Sequence, residues 1–369
     1  MAWIPRRLNL CARNSSNRKK GASLSGNPRP VVFGCFTYQL SESERKFFAD
    51  CRPLGLILFQ RNCRRPSQVK DLVAQFRDAV KNEDAPVLID QEGGRVARLR
   101  PPEWPITYPA ASFGKLWQRD KAKAVEACFQ QGKLIGAELY NMGITINCAP
   151  VLDRTCPETH EAIGDRSYSD QPDAIAELAT AYAEGMKQAG VLPVIKHLPG
   201  HGRAKVDPHK QLPTVVCTEE DVLADAAPFM TMAHWPLGMS SHIVFKNIDP
   251  QKPASLSQGV IKKIIREKIG FGGFLFSDDL DMKAISGMLS DRAHQALAAG
   301  NDAVLFCNGN LQQMTEFAAR MKPMTDEAYE RWLHAARTRV THPASFSTLM
   351  AQDHLDKALA EFAPAEAQG

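Results

Sequence analysis

The chain lacks the cysteine pattern of a disulfide or zinc framework. Its nine cysteines are an odd number, and no two of them form a C-x-x-C pair. Cys35, Cys148 and Cys307 fall inside apolar runs, where a reduced cysteine packs as a small hydrophobic side chain. This usage predicts a reducing compartment and argues against a structural metal site or a disulfide core.

The sequence also lacks any long apolar stretch. No segment approaches the roughly 18 apolar residues that a membrane-spanning helix needs, and the N-terminus has no continuous apolar region of a secretory signal. We therefore expect a soluble, cytoplasmic protein without a membrane partner.

Acidic residues are missing from the first 29 positions, which carry seven Lys or Arg. The whole chain has a net charge of +4, so the remainder without these seven charges is near −3. The body therefore has no basic surplus that would indicate a nucleic-acid partner. A transit peptide is one interpretation of residues 1–29, and we prefer a disordered basic leader before a domain spanning residues 30–369.

Eight short apolar runs alternate with longer amphipathic stretches. Near-continuous apolar runs are typical of strands buried on both faces, with helices as parallel crossovers. The pattern predicts a (β/α)8 barrel, with an open doubly wound sheet as the competing arrangement, and the last 60 or so residues are predicted to be helices that cap the barrel. The eight runs are 31–36, 54–59, 86–90, 144–150, 191–197, 237–244, 271–279 and 302–308.

Polar residues follow several of the predicted strands. In a barrel, active sites lie at the C-terminal ends of the strands, so these side chains should meet in one pocket. A lysine at such a place can form a Schiff base, but a charged lysine that binds substrate hydroxyls or pairs with an aspartate is the commoner arrangement. The residues concerned are Asp90, Lys196, His197, His242, Asp278 and Asp279.

A long loop follows the fifth predicted strand and contains three histidines. Within it, Asp207 and His209 are close enough for the carboxylate to meet the imidazole, which would raise the imidazole pKa for proton transfer near neutral pH. Alternatively, Asp207 caps a turn and His209 is solvated. A metal site is the rival interpretation for these histidines, but Gly and Pro interrupt the segment of His197 and His201, which argues against it.

The stretch FLFSDDLDM, residues 274–282, ends an apolar run with three aspartates. One carboxylate at a barrel mouth can attack a sugar anomeric carbon, and retaining glycosidases place a second carboxyl group about 5 to 5.5 Å away. Asp278 and Asp279 do not easily fill both roles, since consecutive strand residues point to opposite faces. An adjacent acidic pair also fits substrate-assisted hydrolysis of a 2-acetamido sugar, and capping a helix N-terminus is the structural alternative.

Five segments together resemble the β-N-acetylglucosaminidases of glycoside hydrolase family 3, over about residues 30–310. The resemblance implies a single-domain (β/α)8 barrel without metal or organic cofactor, a monomer or weak oligomer. It further implies removal of terminal β-linked N-acetylglucosamine, with retention of configuration, from peptidoglycan fragments (muropeptides) such as the disaccharide with 1,6-anhydro-N-acetylmuramic acid. The segments are LIDQEGGRVARL, GDRSY, KHLPGHG, VDPHKQLP and FSDDLDM.

The resemblance also assigns roles to particular residues. It implies that Asp278 is the nucleophile and that His209, paired with Asp207, is the acid/base. Because the acid is then a histidine, no second carboxylate has to lie beside Asp278. The implied substrate contacts are Asp90, Arg98, Arg166, Lys196 and His197.

Two positions depart from the family pattern. Leu198 stands where the family usually has Phe, which is an apolar exchange. Pro208 stands where it usually has Ser, and proline restricts the preceding Asp207 to extended conformations. Two other functions remain open: transfer of the covalent intermediate to phosphate, and a non-hydrolytic muropeptide sensor that kept the pocket.

Overall fold

The computed structural model describes residues 26–206, 212–282 and 288–362, and a parallel β-sheet forms its centre. Nine strands form this sheet in the order β5-β4-β3-β2-β1-β11-β10-β8-β6, and β7 pairs separately with β9. The strands are β1 Arg29–Phe33, β2 Pro53–Leu58, β3 Val87–Ile89, β4 Ile146–Asn147, β5 Leu192–Pro193, β6 Ile195–Leu198, β7 Thr214–Val215, β8 Leu237–Ser240, β9 Val244–Phe245, β10 Phe274–Asp279 and β11 Ala303–Phe306.

The sheet closes on itself because its two ends are consecutive in the chain. Only Val194 separates β5 from β6, and its N–H group lies 2.9 Å from the Asn147 carbonyl oxygen and 3.0 Å from that of Ala149. Further along, Val151 pairs in parallel with Lys196. With β5 and β6 counted as one bent strand, the sheet is an eight-stranded barrel, and each of the eight predicted runs contains or overlaps one of its strands. The barrel prediction is confirmed, and the open doubly wound sheet is wrong.

Helices surround the barrel as crossovers. A capping box opens α6, where the side chains and backbone N–H groups of Thr218 and Asp221 bond reciprocally. Among the described residues, no helix combines the length and the apolar character needed to cross a membrane. The helices are α1 Glu42–Cys51, α2 Pro66–Val80, α3 Ala110–Trp117, α4 Lys121–Asn141, α5 Pro172–Gln188, α6 Glu219–Asp225, α7 Ala227–Thr231, α8 Leu289–Ala299, α9 Leu311–Ala318, α10 Asp326–Arg337 and α11 Thr348–Leu359, with a π-helical segment Val260–Lys268 and single 3₁₀ turns at Gln60–Asn62, Gly164–Arg166, Ala254–Leu256 and Ala360–Phe362.

The last helices leave one end of the barrel open. Helix α10 covers the end where the strands begin: Trp332 packs with the barrel interior, its ring centroid 5.6 Å from that of Phe274, the first residue of β10. Helix α11 packs on the outside of the barrel against α4. The C-terminal ends of the strands are therefore the end left for a functional site.

Candidate active site

A cluster of ion pairs lies at the ends of β3 and β6. Lys196 Nζ is 2.9 Å from Asp90 Oδ1 and 2.6 Å from Glu92 Oε1. Arg98 Nη2 lies 3.1 Å from the second oxygen of Asp90. The guanidinium of Arg166 donates two hydrogen bonds of 2.8 Å to Glu92. The structure thus brings four of the five predicted substrate contacts into one connected group.

Burial and pairing compete to set the charges of this group. Burial acts to raise the pKa of Asp90 and Glu92, but Lys196 and Arg98 hold that of Asp90 well below its usual range, and Arg166 with Lys196 lowers that of Glu92 to about 2. Burial acts to lower the pKa of Lys196, and the two carboxylates raise it instead. Lys196 is therefore a charged lysine paired with an aspartate, not the neutral amine that a Schiff base requires.

His197, the fifth predicted contact, is held by Asp153, a residue that the sequence did not single out. The fully buried Asp153 accepts a hydrogen bond of 2.6 Å from His197 Nδ1 and one of 2.7 Å from the backbone N–H group of His201. Burial opposes ionisation of Asp153, yet its pKa is lowered, chiefly by His197. The contact with Asp153 holds a proton on His197 Nδ1 and fixes the orientation of the ring.

The ring of His201 lies beside that of His197, with 5.6 Å between the centroids. Burial lowers the pKa of His201 to about 4, so the ring is neutral at pH 7. Its Nδ1 atom is buried and has no hydrogen-bond partner among the residues that the structure describes. His201 therefore adds no positive charge to the site.

Asp278 stands near the end of β10, and its Oδ1 atom accepts a hydrogen bond of 2.8 Å from the backbone N–H group of Asp279. Burial acts to raise its pKa, but nearby His242 and His197, the Asp279 N–H group and Lys196 outweigh burial and lower it. Asp278 is therefore an ionised carboxylate among imidazole and ammonium groups.

The neighbouring Asp279 has a different environment. Its Oδ1 atom accepts hydrogen bonds from the backbone N–H groups of Cys307 at 3.2 Å and Asp281 at 3.1 Å. Burial raises the pKa of Asp279 to about 7, and the adjacent charge of Asp278 acts in the same direction. The two adjacent aspartates have different partners, as the alternation of strand residues predicted.

His242 follows β8 and is only 1% exposed. Its Nδ1 atom lies 2.5 Å from Ser255 Oγ, and its Nε2 atom lies 2.9 Å from the carbonyl oxygen of Asp279. Burial lowers its pKa. The expected convergence of the ends of β8 and β10 is therefore observed.

The predicted acid/base pair, Asp207 and His209, and the intervening Pro208 lie outside the described residues. Both ends of their loop are described. The carbonyl oxygen of Ala204 accepts a hydrogen bond of 3.0 Å from the His160 N–H group, and β7 begins at Thr214. The roles of the pair stay predictions.

Sequence reasoning missed two buried carboxylates that organise the site. Glu92 lies two residues beyond Asp90, and Asp153 lies three residues beyond the predicted run 144–150. Both follow a strand end, which was the signal available for finding them. Within residues 26–206, 212–282 and 288–362, no three His, Cys, Asp or Glu side chains are grouped as ligands for a metal ion.

An ionised carboxylate beside imidazole and ammonium groups at the mouth of a (β/α)8 barrel is suited to stabilise positive charge at a sugar anomeric carbon. The fold and the site thus define a glycoside hydrolase. The sequence comparison agrees: the family model described as the glycosyl hydrolase family 3 N terminal domain matches residues 24–342. The chain belongs to glycoside hydrolase family 3.

Two individual relatives indicate the group within the family to which this chain is similar. A β-hexosaminidase of Thioalkalivibrio sulfidiphilus is 38% identical over 284 residues, which is 76% of this chain and 80% of the relative. A β-hexosaminidase of Neisseria meningitidis serogroup C is 37% identical over 289 residues, 76% of this chain and 78% of the relative. By this relationship the chain is a glycoside hydrolase of the β-hexosaminidase group.

Two solved structures have the same fold. Both are NagZ from Neisseria gonorrhoeae, one in complex with zinc ion and one with N-trifluoroacetyl-D-glucosamine. The first has a TM-score of 0.80 and 29% identity over 90% of this chain and 98% of that chain. The second has a TM-score of 0.78 and 30% identity over 91% of this chain and 97% of that chain.

Proposed function

We propose that the chain is a retaining exo-β-N-acetylglucosaminidase that acts on peptidoglycan fragments. Its substrates are β-linked N-acetylglucosamine on 1,6-anhydro-N-acetylmuramic acid and the corresponding muropeptides. The observation that carries the proposal is the partly buried, ionised carboxylate of Asp278 at the barrel mouth. The N-trifluoroacetyl-D-glucosamine bound by the gonococcal relative supports a 2-acylamino sugar as the ligand class.

In the first chemical step, a carboxylate oxygen of Asp278 attacks the anomeric carbon. The glycosidic C–O bond breaks as a bond to Asp278 forms, and His209, paired with Asp207, donates a proton to the leaving oxygen. In the second step His209 removes a proton from water, which attacks the same carbon and releases Asp278. Two inversions give net retention.

The ion-pair cluster serves to bind the sugar. Charged groups make short, directional hydrogen bonds, so Asp90, Arg98, Lys196 and Arg166 are suited to hold the hydroxyl and acetamide groups. Their mutual pairing keeps them oriented before the substrate arrives. His197 is suited to the same purpose, and its contact with Asp153 orients its ring.

The contacts of Asp279 favour the covalent route over acetamide participation. In a substrate-assisted mechanism, a second carboxylate orients or receives a proton from the acetamide group. The Oδ1 atom of Asp279 already accepts two backbone N–H groups, those of Cys307 and Asp281. One of the two carboxyl oxygens of Asp279 is therefore already engaged by the backbone.

The test is hydrolysis of a chromogenic β-N-acetylglucosaminide by the Asp278→Ala variant. We expect activity to fall by more than about 10³-fold, because the nucleophile is gone. A 2-fluoro N-acetylglucosamine analogue should label Asp278 in the unmodified enzyme, as seen by peptide mapping. Asp281→Asn serves as the matched control and should retain activity.

Three results would contradict the proposal. Retention of most activity by Asp278→Ala removes the nucleophile assignment. Tight binding of an oxazoline mimic without labelling of Asp278 indicates substrate assistance. Sugar 1-phosphate as the main product in phosphate buffer indicates a phosphorylase.

A further inference from the structure

His242 is a buried titratable residue that has no role in the two chemical steps of the proposed hydrolysis. Both of its ring nitrogens are occupied, Nδ1 by Ser255 Oγ at 2.5 Å and Nε2 by the Asp279 carbonyl oxygen at 2.9 Å. A carbonyl oxygen can only accept, so Nε2 carries the hydrogen and Nδ1 accepts from the Ser255 hydroxyl group. The contacts therefore select one neutral tautomer.

The carbonyl group that His242 holds belongs to the residue that contacts the nucleophile. The N–H group of Asp279 donates to Asp278 Oδ1 at 2.8 Å, while the Asp279 carbonyl oxygen accepts from His242. The peptide after Asp279 is held on its other side too, since the Leu280 N–H group donates to the Leu305 carbonyl oxygen at 3.0 Å. The preceding peptide, which carries the Asp279 N–H group, is held as well, since the Asp278 carbonyl oxygen accepts from Ser277 Oγ at 2.8 Å. With both flanking peptides held, the direction of the Asp279 N–H group is set from outside the residue.

A second set of buried contacts holds Ser255 in place. Its carbonyl oxygen accepts from Asn301 Nδ2 at 2.7 Å, and its N–H group donates to the Ser241 carbonyl oxygen at 3.0 Å. Asn301 Oδ1 in turn accepts from Ser240 Oγ at 2.7 Å. The imidazole of His242 is thus held from both sides, by groups with little freedom to move.

We propose that His242 is a positioning residue that aims the Asp278 carboxylate by fixing the Asp279 backbone through its Nε2–H group. The inference rests on the proposed function, in which Asp278 is the nucleophile. A carboxylate held in one direction by Asp279 N–H meets the anomeric carbon at the angle that attack requires. A small misplacement of a reacting atom costs a large factor in rate.

A positioning role differs measurably from mere packing. A loss of packing lowers stability, whereas a mis-aimed nucleophile lowers kcat and leaves substrate binding unchanged. The acidic limb of the pH profile should also move, because a looser Asp279 N–H group stabilises the ionised carboxylate less. His242 itself, His197 and Lys196 also lower the pKa of Asp278, so the loss of His242 moves the acidic limb in the same direction as a looser Asp279 N–H group, while His197 and Lys196 do not change.

The experiment compares His242→Phe, which has no donor, with His242→Gln, whose side-chain amide can donate to the same carbonyl group. For His242→Phe we expect kcat to fall about 100-fold, KM to stay within about twofold, and the acidic limb to move to higher pH by about half a unit. For His242→Gln we expect a fall in kcat of less than about tenfold. The matched control is His294→Phe, which removes the same kind of contact, between Nε2 and the Arg320 carbonyl oxygen at 3.0 Å, on α8 outside the site; its kcat should be unchanged.

Several outcomes overturn the inference. Unchanged kcat in folded His242→Phe does so. An equal fall in kcat in both His242 variants, or a rise in KM without a fall in kcat, also does so. If His242→Phe does not fold, Ser255→Ala takes its place: it removes the hydroxyl group that holds the imidazole at Nδ1, and unchanged kcat there overturns the inference.

Asp278→Ala, measured in parallel, separates the two proposals. An active Asp278→Ala enzyme overturns the proposed function. An inactive one, together with an unimpaired His242→Phe enzyme, overturns the positioning role alone.

Discussion

Glu92 is the residue through which two cations of the site are held. It contacts both Arg166 and Lys196, and its side chain is only 7% exposed. Removing one member of a buried ion-pair group leaves uncompensated charge in a medium that solvates it poorly. The effect of Glu92 should therefore be visible in both stability and substrate binding.

We expect Glu92→Gln to lower the free energy of unfolding by about 3 kcal/mol at pH 7 and to raise KM. The reason is that the guanidinium group of Arg166 and the ammonium group of Lys196 both lose this carboxylate. Urea unfolding and steady-state kinetics measure the two effects. The control is Asp165→Asn, which removes an ion pair with Arg95 whose side chains are 46% and 41% exposed and should cost under about 1 kcal/mol. Equal stability of Glu92→Gln and the unmodified protein would contradict the assignment.

The pH dependence of this effect has a defined sign. The pKa of Glu92 is about 2 in the folded protein against an ordinary value of 4.5. A depressed carboxyl pKa contributes stability that is present above the ordinary value and lost as the pH falls towards the folded value. The difference between Glu92→Gln and the unmodified protein should therefore shrink between pH 4.5 and pH 2.

Helices α4 and α5 approach so closely that their glycines matter. A Cβ atom on Gly132 would lie 2.1 Å from the carbonyl oxygen of Tyr182, and one on Gly185 would lie 2.2 Å from that of Phe129. The hydroxyl group of Tyr182 donates to the Gln91 carbonyl oxygen at 2.9 Å, beside the ion-pair cluster. The helix contact thus supports the loop that carries the site.

We expect Gly132→Ala to lower the free energy of unfolding by about 1 to 3 kcal/mol, because the added methyl group forces the two helices apart. The midpoint of denaturant unfolding measures this change. Gly272→Ala is the matched control, since a Cβ atom there meets nothing within 4 Å and the residue does not have a positive φ. Equal effects at the two positions would contradict the close helix contact.

At the scale of the whole molecule, the two ends of the barrel have different roles. Helix α10 covers the end where the strands begin, and the ion pairs and Asp278 lie at the end where strands β3, β6 and β10 finish. Stability and catalysis should therefore respond separately to changes at the two ends.

We expect Trp332→Ala to lower the free energy of unfolding by about 3 to 5 kcal/mol through the cavity it leaves beside Phe274, with kcat per folded enzyme unchanged. Thermal unfolding and active-site titration measure the two quantities. Leu349→Ala is the control, because this side chain is 79% exposed and should change neither. A fall in kcat of Trp332→Ala at a temperature where it stays folded would show that the two ends are coupled.

The sequence by itself determined the number of strands, the barrel and the identity of most charged residues at its mouth. This succeeded because buried parallel strands require near-continuous apolar runs, and because a barrel collects the residues that follow those runs. Asp90, Lys196 and Asp278 could be identified in this way, since each stands at or just beyond the end of such a run.

Only the tertiary structure decided which of these residues meet. Arg166 pairs with Glu92 across 74 positions, His197 with Asp153 across 44, and His242 with the Asp279 carbonyl group across 37. Such contacts depend on the register of neighbouring strands and on the closure of the sheet between β5 and β6. The same closure places Lys196 between two carboxylates, and only that placement keeps its amine charged in a buried site.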